Sequence, residues 1–250
     1  MGAIQTYGNI IKKYAPEHPA AARRMIQTGL VLERFRCRRL ADRKLPEAYR
    51  YLNAYAVNEV LQALRHPETS VWANIFAPVE ILQCFGVHTL SIECLSSFLS
   101  GFTIENYFLD YAENEGMAPT LCSYHKNFIG AVDSGVIPPA AFAVTTSTIC
   151  DGNINTFRHL SEKHGIPSYL LDIPEQYSPE AEAYVAEQLR ELIGCLEETF
   201  GRKLDMQELS RTLERENESK ACYERTLEQL AVKAYPSTLT LQVYMLFANH

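Results

Sequence analysis

Two cysteines in this 250-residue sequence stand where a thiol could do chemistry. Cys122 and Cys150 each follow a short apolar run and immediately precede a stretch that reads as helix. A helix N-terminus, with its free N–H groups and positive dipole end, favours thiolate over thiol. Thiolate is the form that binds iron or zinc. An iron–sulfur cluster takes three or four such ligands, so two cysteines leave a second reading open, that of small buried hydrophobes. The other residues at comparable strand ends are Pro78-Val79-Glu80, Ser123-Tyr124-His125, Thr145 through Asp151, and Asp172-Ile173-Pro174.

The remaining cysteines are Cys37, Cys84, Cys94, Cys195 and Cys222, all in stretches that read as helix or strand. Seven is an odd number, and no secretory leader is visible, so a disulfide framework is not expected. No CxxC occurs, which removes the usual support for zinc-ribbon and thioredoxin-like readings. The net charge is −7, but residues 1–70 carry an excess of six positive charges and the rest an excess of thirteen negative ones. An acidic body argues against nucleic-acid binding. The basic run Arg34, Arg36, Arg38, Arg39, Arg43, Lys44 reads first as a solvated helix face. No apolar stretch is long enough to span a membrane, and a cytoplasmic location is expected.

Elements that would position these residues follow from the hydrophobic pattern. Residues 1–68 read as a helical segment, with apolar positions at Met25, Leu32, Leu40, Leu52, Val60 and Leu64. From there strands and helices alternate. Val71–Phe76, Thr89–Ile92, Ala141–Thr146 and Ser168–Ile173 read as strands, with a further short strand at Pro119–Leu121. Helices are expected between them, including one over Ser97–Asn114 and one from Asn153 to Lys163. Such alternation implies parallel βαβ units, so residues 69–235 are expected to form an open, doubly wound α/β domain. Long amphipathic helices follow over Pro179–Phe200 and Asp205–Ala234. The apolar segment Leu239–Phe247 has nothing after it to pack on, so 236–250 reads as the start of a truncated second domain.

The blocks APVEILQCFG, LCSYHKNFIG, FAVTTSTICDGNINTF and IPSYLLDIP, in that order, resemble the 2-hydroxyacyl-CoA dehydratase family, which includes benzoyl-CoA reductase subunits and double-cubane-cluster proteins. The resemblance runs from about Phe76 to Pro174. It implies two α/β domains with a [4Fe–4S] cluster between them, held in this part by Cys122 and Cys150, with a third thiolate from outside the chain. Ser147 and Thr148 could then donate hydrogen bonds to cluster sulfurs, although turn residues have the same composition. Glu80 matches the acid of the Pro-x-Glu block and becomes a candidate general acid/base, with first-turn helix stabilisation as the alternative. His88 stands where the family often has a small apolar residue.

The chemistry implied is radical elimination of water from a 2-hydroxyacyl thioester. One electron added to the carbonyl gives a ketyl that expels hydroxide and acidifies the β-hydrogen. The resemblance further implies a homologous partner subunit, an acyl-CoA substrate and a separate ATP-hydrolysing iron–sulfur activator. The chain itself has no GxxxxGK[ST] phosphate loop. A double-cubane-type ATP-coupled reductase, or a binding and assembly subunit that has lost its cluster, are the competing expectations. The cluster reading requires the sulfurs of Cys122 and Cys150 to face one shared space at the carboxyl edge of the sheet.

Overall fold

The computed structural model describes residues 2–40, 44–148 and 150–234. Three helices lead: α1 (Ala3–Tyr14), α2 (Pro19–Phe35) and α3 (Glu47–Arg65), with a short π-helical turn, Arg36–Leu40, ending α2. Then come β1 (Ser70–Ala73), α4 (Val79–Cys84), β2 (His88–Ser91), α5 (Ile92–Gly101), α6 (Glu105–Asn114) and α7 (Ser123–Asp133). The chain continues through β3 (Phe142–Thr146), α8 (Asp151–His164), β4 (Ser168–Leu171), α9 (Pro179–Phe200) and α10 (Met206–Leu230). The segment Leu239–Phe247 lies outside the described residues.

The four strands form one parallel sheet in the order β2-β1-β3-β4. Both central strands are buried along their whole length, as a sheet covered on both faces requires. Side chains alternate between two apolar layers. Trp72, Leu90 and Ala143 join α1–α3 and α5–α8 on one face, while Val71, Ala73, Phe142 and Val144 meet α4 and α9 on the other. The chain is therefore the open, doubly wound α/β fold that the pattern implied, with the leading helices sharing a core with the sheet.

Two expectations are corrected. Pro119–Leu121 is a turn rather than a strand. Pro119 has no N–H to offer a ladder, its carbonyl accepts from Lys126 Nζ at 2.7 Å, and the Leu121 N–H closes a turn onto Ala118 O. The single helix expected over Ser97–Asn114 is two, α5 and α6, broken at Phe102–Ile104, where Thr103 has φ 58°. Strand β1 also stops earlier than the apolar run, because the chain turns at Asn74, whose carbonyl accepts from the Ala77 N–H.

Helix α7 carries one of the two cysteines, and a glycine sets its position. A Cβ on Gly130 would collide with the backbone carbonyl of Phe108, so α7 lies against the α6 backbone where no other residue would fit. Because α7 feeds β3 at its amino end, the N-terminus of α7 points to the carboxyl edge of the sheet.

Candidate active site

The strand order creates a crevice. The chain leaves β1 toward β2 and leaves β3 toward β4, so the loops after the two central strands diverge at their carboxyl ends. The floor there is polar and fully buried. Asn74, just after β1, donates from Nδ2 to Thr146 Oγ1 at the end of β3, at 3.1 Å. Asn74 Oδ1 and Thr145 Oγ1 have no hydrogen-bond partner among the described residues. Buried polar atoms left this way need water or a ligand.

Cys122 is the N-cap of α7, and Cys150 is the N-cap of α8. Neither side chain hydrogen-bonds to its helix's first turn; in α8 the Asn153 N–H donates instead to the Cys150 carbonyl at 3.0 Å. Cys122 is exposed and Cys150 half-buried. His125 connects the two helix starts. It lies one turn after Cys122, and its Nε2 sits 3.5 Å from Cys150 Sγ. On the other side of the ring, Nδ1 is 3.1 Å from the hydroxyl of buried Thr156 on α8. Burial holds the His125 imidazole below its ordinary pKa. Gly152 leaves room for this contact, since a Cβ there would stand 3.0 Å from His125 Cδ2 and 3.2 Å from Cys150 Sγ. Asn153 Oδ1, in the same first turn of α8, is buried without a partner among the described residues.

The remaining sequence candidates fall as follows. Ser147 ties two strand ends together: its N–H donates to Leu171 O and its Oγ accepts from the Ile173 N–H at 2.8 Å. Thr148 accepts at its carbonyl from the Cys150 N–H, closing the turn before α8. Glu80 is in the first turn of α4 and faces Glu216 of α10, whose carboxyl is raised by burial first and by Glu80 second. Asp151 is the first residue of α8, whose N-cap is Cys150. His88 begins β2 at the amino edge and lies against His66, the rings tilted with centroids 5.3 Å apart, away from the crevice. Cys195 packs into the second apolar layer and Cys222 is exposed on α10.

Sequence reasoning missed Glu93. It lies in the first turn of α5, at the carboxyl end of β2, and accepts from Ser91 Oγ at 3.1 Å. Burial raises its pKa, against opposing hydrogen bonds from backbone and Ser91. The available signal was Ser91-x-Glu93 at a strand-to-helix junction, hidden within an apolar run. A cavity of about 100 Å³ beside the α7 N-terminus is lined by Ser96, Ser100, Glu105, Ser123, Tyr124 and Asn127; neither cysteine lines it.

These residues suit part of an iron–sulfur ligand set. Two free cysteines occupy N-cap positions at one edge, an imidazole held below its ordinary pKa lies against one of them, and Gly152 keeps that space clear. Among the described residues, no group of three or more His, Cys, Asp or Glu is arranged to hold a metal ion. No helix among the described residues is long and apolar enough to cross a membrane.

The family model for 2-hydroxyglutaryl-CoA dehydratase, D-component, matches residues 74–250. Among curated proteins, lactoyl-CoA dehydratase subunit alpha of Anaerotignum propionicum is 24% identical, over 77% of this chain and 51% of the relative. The chain thus spans about half the length of the curated relative it matches.

Proposed function

The chain belongs to the 2-hydroxyglutaryl-CoA dehydratase D-component family, and on that premise we propose that it is the cluster-binding part of an iron–sulfur 2-hydroxyacyl-CoA dehydratase. Cys122 and Cys150 hold the cluster, and a third thiolate comes from outside the described residues. When bound, a [4Fe–4S] cluster supplies one low-potential electron to the thioester carbonyl of the acyl-CoA substrate. That electron originates in a separate ATP-hydrolysing iron–sulfur activator, and a homologous dehydratase subunit completes the assembly.

This chain's own groups do the positioning. The N-termini of α7 and α8, where neither N-cap side chain is bonded to the helix, turn their positive dipole ends to the thiolates. Ser147 braces the loop before Cys150 against β4, so the thiol stands on a fixed strand end. Ser147 and Thr148 offer their hydroxyls toward cluster sulfur only as far as that bracing allows. Glu80, opening α4 at the same edge, is the proton-handling group of this reading.

One observation carries the proposal: two cysteines occupy the N-cap positions of neighbouring helices at the carboxyl edge, and His125 of the first helix touches the thiol of the second. The test is iron and sulfide analysis of anaerobically purified full chain with its partner subunit. Cys122→Ser and Cys150→Ser should each abolish iron content, and Cys195→Ser should keep it. Full iron in both serine variants would overturn the cluster site. Full iron with no dehydration of any 2-hydroxyacyl thioester would move the assignment to an ATP-coupled reductase.

A further inference from the structure

We propose that His125 is a positioning residue that donates a hydrogen bond from Nε2 to the Cys150 sulfur, and that Thr156 selects the tautomer able to do so. The inference rests on the reading of Cys150 as a cluster ligand. Its basis is the ordered line Thr156 Oγ1, His125 Nδ1, His125 Nε2, Cys150 Sγ, with contacts of 3.1 and 3.5 Å. A hydroxyl that donates to Nδ1 leaves the ring proton on Nε2. A sulfur that binds iron carries no proton, so only an Nε2–H can pair with it. The opposite tautomer would set a nitrogen lone pair against a thiolate.

The surroundings hold this line in place. Thr156 and His125 are both buried, on helices packed against each other. Gly152 has no Cβ to wedge between ring and sulfur. Cys122, by contrast, is exposed. The two thiolates would therefore be unequal, with the Cys150 side drawing charge off the cluster through the imidazole N–H. A hydrogen bond to a ligand sulfur favours the reduced, more negative state and raises the reduction potential.

The experiment uses the full chain with its partner, loaded with iron anaerobically, and three variants: His125→Leu, His125→Gln and Thr156→Val. Iron content, midpoint potential and the ring-nitrogen signals of His125 in the iron-free protein are the readouts. His125→Leu should lower the potential by roughly tenfold in the reduction equilibrium, about 59 mV for one electron. His125→Gln, which keeps an N–H donor, should recover most of that. Thr156→Val, nearly the same shape without the hydroxyl, should lower it by less while keeping full iron. In the iron-free wild type, the proton should be on Nε2. An unchanged potential in Thr156→Val and His125→Leu at full iron content, or a protonated Nδ1, would overturn the inference. Should His125→Leu not fold, the Gln and Val variants decide it. Absence of iron in the wild type would instead sink the cluster reading, and the tautomer measurement would still judge the Thr156–His125 pairing.

Discussion

Helices α7 and α8 meet at both of their ends, and the two meeting places are built from opposite chemistry. At the amino edge of the sheet, the side chain of Asp133 is fully buried and accepts from His164 Nε2 at 2.7 Å, Lys163 Nζ at 3.0 Å and His159 Nε2 at 3.2 Å. Lys163 also reaches Glu115. At the carboxyl edge, the same helices meet through a thiol, an imidazole and a hydroxyl, with Asn153 Oδ1 beside them lacking a partner among the described residues. A carboxylate buried among three donors locks geometry, because it can keep its charge there only while those donors stay in place. An unsaturated neutral one keeps valences for something else. The amino end fixes the angle between the helices, and the carboxyl end is thereby freed from holding the fold together.

Asp133→Ala should test that division most severely. It removes the acceptor shared by three donors, and because those donors are partly solvated the loss should be about 2 kcal/mol in a denaturant midpoint. If the two ends are separable, the folded fraction should still bind iron. Loss of iron at full folding would show that the ends are coupled. The same carboxylate sets an acid limit. Burial alone would raise its pKa, but hydrogen bonds from His164, Lys163 and His159 more than reverse this and leave it below the ordinary value. Its stabilisation is therefore complete above about pH 4, the unfolded value, and is lost as pH falls through the lower native one. Asp133→Asn should flatten the stability curve in that window.

Gly152→Ala should act in the opposite sense. The new Cβ crowds His125 and the Cys150 sulfur, a disturbance of about 1 kcal/mol to folding. Its effect on iron retention should be much larger than its effect on stability, and equal losses of both would blur the contrast between the ends. The smallest effect is expected from Glu80→Gln. It relieves repulsion with Glu216 and should stabilise by about 0.3 kcal/mol at neutral pH. A fall in turnover alongside that gain is what a proton-handling Glu80 requires.

The sequence showed the sheet well and the site unevenly. All four strands were legible because each is an apolar run bounded by turn residues, and a central parallel strand has few other ways to be written. The false strand at Pro119–Leu121 looked similar, but its fate was decided by Lys126, a residue on the next helix. Cys122 and Cys150 were legible as helix starts. The contact between His125 and Cys150 was not, since it spans a helix, a loop and a strand and depends on how α7 seats on Gly130. Asp133, His159 and His164 were likewise invisible as a group, because their spacing of 26 and 31 residues encodes no local pattern.

The strand order carries a consequence for the order of folding. Strand β1 pairs with β2 18 residues on, through Ser70↔His88, but with β3 only across the 71 residues separating Val71 from Phe142. Pairings so distant in sequence close late, since the loop entropy must be overcome before any contact rewards it. During synthesis, β1, β2 and the first seven helices can emerge before the strand that joins the halves of the crevice. Cys122 is then made and exposed while Cys150 has no helix to cap. Of the two thiols proposed to hold a cluster, metal introduced at that stage would meet only Cys122, so on that reading loading follows the docking of β3 and α8, and a maturation factor would have to recognise the closed sheet rather than the nascent chain.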